Sequence, residues 1–225
     1  MQTDRGGWQS ELICGAMADD SLLVNGASHA PITLVLAHGA GAAMDSRFMN
    51  TVAEAIGGAE VRVVRFEFPY MAARRTSGKR GAPDREPMLI DSWRSVIAKL
   101  GDPAKIVIGG KSMGGRIASM VADEAGVAGL VCLGYPFHPP GNPSRTRVKH
   151  LEKLRTPALI VQGTRDSFGR PDEVANYKLS KKIRIVWIEA GDHSLKPPAR
   201  SGRTETQNIA SAIEEVQRFI VDLKI

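Results

Sequence analysis

Apolar residues along this chain fall into short unbroken runs separated by helical patterns. Pro31–Ala37, Val61–Phe68, Lys105–Ile108, Val127–Leu133, Pro157–Gln162 and Ile183–Ile188 are runs of strand length, rich in Val, Ile and Leu. Unbroken apolar runs predict strands buried on both faces, and hence an α/β fold with a mostly parallel central sheet flanked by helices on both faces. Helices are predicted between them. One runs from about Asp45 to Ile56. A second ends near Leu100, with Ile90, Trp93, Ile97 and Leu100 on one face. A third follows Gly115 and carries Ile117, Met120 and Val121. The last opens with a capping box, Thr204 with Gln207, and buries Ile209, Ile213, Val216, Ile220 and Leu223. Met71–Arg85 and Gly134–Arg145 are predicted loops. Residues 31–225 read as a single domain. Residues 1–30 read as an N-terminal segment supplying one or two edge strands of that domain, with Leu22–Val24 the best candidate.

A chain of 225 residues fits one large domain, and 43% hydrophobic with 24% charged residues is the balance of an ordinary globular protein. The 2 cysteines, Cys14 and Cys132, form no CxxC or Cys/His cluster, so no metal is expected. Cys132 sits in an apolar run and is read as a buried thiol, and a reduced cytoplasmic setting follows. Met1–Ser10 lacks the apolar segment of a signal peptide. No run approaches the roughly 20 apolar residues of a membrane span. The formal net charge is +6, and much of the excess lies at Arg74, Arg75, Lys79, Arg80 and Arg85. That segment has two readings: a solvated loop near the active site, or a site for an anionic substrate or partner. Direct nucleic-acid binding is not expected.

In parallel sheets ligands bind beyond the carboxyl ends of the strands, so the chemistry is sought in the loops that follow them. Gly110-Lys111-Ser112-Met113-Gly114 is a GxSxG string between a strand and an apolar-periodic helix. This context is that of a nucleophile elbow, which needs glycines because side chains there would strike neighbouring backbone. Gly110-Lys111-Ser112 also resembles the end of a phosphate-binding loop, but that motif needs a glycine where Lys105 stands. A serine needs a base, and a base needs an orienting carboxylate. His193 follows the last strand and Asp166 the strand before it, in the chain order serine, acid, histidine. Asp192, adjacent to His193, is set aside because neighbouring side chains diverge; Asp172 is a fallback. The oxyanion donors are expected to be the N–H of Met113 and that of Ala40, with Gly41 second, in His38-Gly39-Ala40-Gly41. His38 is read as holding that loop by hydrogen bonds. It joins His138, Tyr135 and Lys111 as a candidate for the substrate pocket. His29 and His150 are read as surface residues, and the pocket walls as Met71–Arg85 and His138–Arg145.

Leu36–Gly41, the serine elbow, Gly163-Thr164-Arg165-Asp166 and Gly191-Asp192-His193 together resemble an α/β-hydrolase of the dienelactone-hydrolase-like group. Tyr135-Pro136-Phe137-His138-Pro139-Pro140-Gly141 is similar to the testis-expressed and non-specific-lethal-complex hydrolase-like family and its bacterial relatives. The resemblance covers about Pro31–Leu223. It implies the fold and a Ser112–Asp166–His193 triad and does not fix a substrate; the triad chemistry itself calls for a small-molecule acyl substrate and no cofactor. Dienelactone hydrolases proper carry cysteine where Ser112 stands, so their substrate does not transfer. The residues thus point to a serine hydrolase acting on a small ester, thioester or amide. The alternative is a catalytically silent binding or scaffold protein on the same fold.

Overall fold

A computed structural model describes residues 22–79 and 81–225. The reading of Met1–Ser10, the reading of Cys14, and Arg80 of the basic segment lie outside the described residues.

Among the described residues seven strands form one sheet: β1 (Leu23–Asn25), β2 (Ile32–Ala37), β3 (Val61–Phe66), β4 (Ile106–Lys111), β5 (Gly129–Leu133), β6 (Ala158–Gly163) and β7 (Ile183–Ile188). The sheet order is β1-β3-β2-β4-β5-β6-β7. All neighbours are parallel except β1, which pairs antiparallel with β3 through Leu23↔Arg65 to Asn25↔Val63. The expected N-terminal edge strand is therefore present, shifted by one residue. Among the described residues the α-helices are α1 (Arg47–Ile56), α2 (Pro69–Ser77), α3 (Glu86–Leu100), α4 (Met113–Ala125) and the single turn α5 (Pro171–Val174) between strands, and α6 (Glu205–Asp222) after the last strand.

The unbroken apolar runs have a direct structural meaning. Val35, Ala37, Ile106, Ile108, Leu130, Cys132, Ala158 and Ile160 pack with α3 and α4. Their neighbours Leu34, Leu36, Val107, Val131, Leu133, Leu159 and Val161 pack with α1 and α6 on the other face. Alternate side chains of a strand point to opposite faces, so a strand covered on both sides must be apolar at every position. Cys132 is a buried free thiol, and burial raises its pKa. The Thr204–Gln207 capping box starts α6 as expected.

Three expectations are corrected. The predicted loop Met71–Arg85 is helical in its first part. Proline fits the first turn of a helix, where its missing N–H has no partner to lose, and α2 occupies Pro69–Ser77 up to a left-handed Gly78. The basic segment is thus a helix end followed by a loop, with Arg74 and Arg75 on the helix. On α3 the buried face is Leu89, Ser92, Trp93, Val96 and Ile97, while Ile90 and Leu100 are only partly buried. The spacing was right and the phase was off by about one residue. His29 is exposed as expected, but His150 is half-buried and bonded to Ser119 Oγ at 2.8 Å.

Candidate active site

β4 runs straight into Ser112 without a cradle-forming loop. Ser112 sits at φ 51°, ψ −114°, a region that L-residues avoid, directly before the first turn of α4. The strain is imposed by close approach. A Cβ on Gly110, itself at φ 151°, would lie 2.1 Å from the carbonyl oxygen of Ala37, and one on Gly114 would lie 2.4 Å from the same atom. Only glycine lets β4 and α4 close this tightly against β2, and the tight turn lifts the serine above the sheet edge.

His193 lies in the loop after β7. Its Nε2 is 2.8 Å from Ser112 Oγ and its Nδ1 is 2.8 Å from Asp166 Oδ2. An ionised carboxylate only accepts hydrogen bonds, so Nδ1 carries the proton and Nε2 accepts from the serine hydroxyl. Asp166 is fully buried. Its second oxygen accepts the N–H of Phe168 at 2.9 Å, and Oδ2 also accepts from Gln162 Nε2 at 2.9 Å. Gln162 is buried too, and its Oε1 accepts the Tyr135 N–H at 2.7 Å. Phe168 stacks on the imidazole, ring centroids 4.2 Å apart. Asp192 faces elsewhere: its Oδ1 accepts the N–H groups of Ser194 and Lys196 and shapes the histidine loop. Asp172 is exposed on α5.

The loop after β2 is pinned by its carbonyls. His38 Nε2 accepts the Phe68 N–H at 3.1 Å, which leaves Nδ1 to donate to Gly39 O at 2.7 Å. Burial lowers the pKa of His38 and keeps it neutral for both bonds. Tyr70 donates to Ala40 O at 3.1 Å. Because a trans peptide is planar, the N–H of Ala40 points opposite to Gly39 C=O, and that of Gly41 opposite to Ala40 C=O. Both are thereby turned away from His38 and Tyr70. Met113 is the first residue of α4, so its N–H has no intrahelical partner.

Ser112 and His193 open into a cavity of about 520 Å³, lined by Gly39–Ala42, Ser46–Met49, Lys111, Phe168 and Ser194. Its walls are α1 and Phe168 rather than the two expected segments. Among the described lining residues the charged groups, His193 aside, are Arg47 and Lys111. A second depression of about 310 Å³ adjoins it at Gly41 and Ala42 and is bordered by Met71, Arg74 and Arg75. Arg75 is already spent on Glu67 and Asp45.

Of the four pocket candidates, only Lys111 lines the cavity. His38 is fully buried beneath the loop it holds. Tyr135 is buried with its hydroxyl donating to Arg147 O at 2.9 Å. His138 is buried with one nitrogen on Pro139 O and the other 3.4 Å from Glu173. Gln162, Phe168 and, on α1, Arg47, Phe48 and Met49 escaped the sequence reading. Gln162 did leave a signal, as a polar residue at the end of an otherwise apolar strand.

A strained serine at a strand–helix elbow, a histidine bonded to it and a buried carboxylate beyond, all at the carboxyl edge of a parallel sheet, define the class of α/β hydrolases. The family described as Alpha/beta hydrolase domain matches residues 30–221, and the chain belongs to it. In fold, the chain is similar to a lidless a/b serine hydrolase from Xanthomonas campestris, at 18% identity and TM-score 0.64 over 88% of each chain. It is also similar to an alpha-beta serine hydrolase homologue from Coxiella burnetii, at 19% identity and TM-score 0.66 over 90% of this chain and 94% of that one. A dienelactone hydrolase from Anabaena variabilis matches at 18% identity and TM-score 0.66, over 89% and 90%. Among the described residues no helix is long and apolar enough to cross a membrane.

Proposed function

We propose that this protein is a serine hydrolase that cleaves a small ester, thioester or amide through an acyl-enzyme on Ser112. The observation that carries the reading is the His193 imidazole, 2.8 Å from Ser112 Oγ on one side and 2.8 Å from Asp166 on the other. Ser112 Oγ attacks the substrate carbonyl while His193 Nε2 takes the hydroxyl proton. The N–H groups of Met113 and Ala40, with Gly41 as the second choice, hold the oxyanion. His193 then passes its proton to the leaving group and the acyl-enzyme remains. Water attacks that ester with His193 again as base, and the acid is released as Ser112 regains its proton.

Asp166, held by Gln162 and by the Phe168 N–H, fixes the tautomer and steadies the imidazolium. Phe48, Met49 and Phe168 suit an apolar acyl group, and Arg47 and Lys111 favour a substrate with negative charge over one with positive charge. The chemistry draws on these side chains without a cofactor. Residues 31–225 act as one catalytic domain, and its setting is the cytoplasm. Within the α/β hydrolases, the likeness of Tyr135–Gly141 supports reading the chain as a relative of the testis-expressed and non-specific-lethal-complex hydrolase-like proteins.

A fluorophosphonate probe tests the reading. Wild type is expected to label at Ser112 and Ser112→Ala to stay unlabelled. A wild type that fails to label, or labels elsewhere, removes the catalytic reading and leaves a binding protein on this fold.

A further inference from the structure

Lys111 stands one residue before the nucleophile, at the last position of β4. Its side chain spans the gap between two strand ends. The ammonium donates to the main-chain carbonyl oxygen of His193 at 2.6 Å, a short charge-assisted bond. Space for it comes from Gly134, where a Cβ would lie 3.0 Å from Lys111 Nζ and 2.9 Å from the same His193 oxygen. On its other side the amine faces the Phe48 ring, 5.9 Å from the centroid.

The loop that carries His193 has other supports. Asp192 accepts two of its N–H groups, and buried Asn208 donates to Leu195 O at 2.8 Å. These act on residues flanking His193. Among the described residues the bond from Lys111 is the one made by a side chain to residue 193's own backbone, and it starts from the strand that presents the nucleophile. The imidazole must keep two 2.8 Å bonds at once. A rotation of its backbone by a fraction of an ångström would lengthen one of them, and misplacement of a general base is costly.

We propose that Lys111 is a positioning residue: its ammonium ties the backbone of the base to the strand of the nucleophile, and turnover depends on that tie. The inference rests on the serine-hydrolase reading above. The charged and titratable groups facing the amine are Asp166 from the loop after β6, Asp192 and His193 from the loop after β7, and Arg47 of α1 across the same cavity. Burial lowers the amine's pKa to about 8, against the opposing pull of Asp166 and Asp192. The tie is therefore charged at neutral pH and weakens above about pH 8, because a neutral amine donates a weaker hydrogen bond.

The experiment compares wild type with Lys111→Met and Lys111→Arg on a neutral p-nitrophenyl ester, together with amide hydrogen exchange of the 191–196 loop. In Lys111→Met, kcat is expected to fall by about tenfold or more, with KM within about twofold, and the Ser194 and Lys196 amides to exchange faster. Wild type should lose rate above about pH 8, and Lys111→Arg, which keeps its charge, should recover part of kcat without that alkaline loss. A Lys111→Met enzyme with unchanged kcat, or a wild-type rate flat from about pH 7 to 10, overturns the proposal. So does a loop whose exchange is unaltered. Because exchange is read without turnover and wild-type labelling at Ser112 is scored separately, failure of the tie is distinct from failure of the hydrolase reading.

Discussion

At the residue scale, the site is a chain of single hydrogen bonds in which each group is specified by the next. Ser112 depends on the neutral Nε2 of His193, which depends on Asp166, which depends on Gln162 and the Phe168 N–H. Groups linked this way act as a unit rather than as independent contributors. Ser112→Ala and His193→Ala are therefore expected to reduce ester turnover to similar levels, and the double variant to be little worse. Steady-state kinetics checks this, and losses that multiply would contradict it. Most of this chain was legible beforehand, because serine, acid and histidine each follow a strand in a fixed order. Gln162 was harder to assign: a polar residue ending an apolar run signals a buried partner but does not say which. His38 illustrates the opposite limit. Its role in holding the loop was readable from its place before Gly39, but its distance from the cavity was not.

At the scale of elements, α1 matters more than its plain sequence suggested. It contributes Arg47, Phe48 and Met49 to the wall of the cavity. Arg47 and Phe48 also line a groove of about 380 Å³ between α1 and α6, floored by Ile209 and Ile213. Phe48 stands between the two spaces. Phe48→Ala should open the cavity into the groove and shift the preference among p-nitrophenyl esters toward longer acyl chains. Each added buried methylene contributes about 0.8 kcal/mol where it finds room. A kcat/KM series over chain length reads the shift, and an unchanged optimum would show that the wall lies elsewhere. The helix could be foreseen from its periodicity, but its role in the wall could not, because a helix pattern shows which face is buried and not what the exposed face borders. The same limit explains the misplaced walls: α2 was taken for a loop, and its Arg75 turned out to be engaged by Glu67 and Asp45.

At the scale of the whole molecule, two interior histidines couple stability to acidity. Burial lowers the pKa of both His38 and His150 below the ordinary 6.5. The unfolded chain then binds protons more readily than the folded one as pH falls below that value. Their contribution is complete above about pH 6.5 and is lost as pH falls toward the folded-state values. The melting temperature should hold near neutrality and decline as pH falls below about 6.5. The Asp45 and Asp123 carboxyls, whose pKa values are lowered, add their loss only at stronger acidity. Calorimetry across that range checks the order. A His150→Gln variant should show a shallower decline, and equal slopes would place the proton uptake elsewhere.

The sequence alone determined the architecture and the residues expected at the candidate site. Strands apolar at every position can only be buried on both faces, and a serine between close-packed glycines at a strand–helix junction can only sit on a sharp turn. These are local constraints, and a local pattern records them. The tertiary structure decided which groups stand side by side: Lys111 against the His193 carbonyl, Gln162 behind Asp166, Phe168 on the imidazole, and α1 rather than the basic segment along the cavity. Such contacts join residues from separate strand ends. Their geometry is set by how the sheet twists and the helices pack, a property of the whole fold that no stretch of the chain carries by itself.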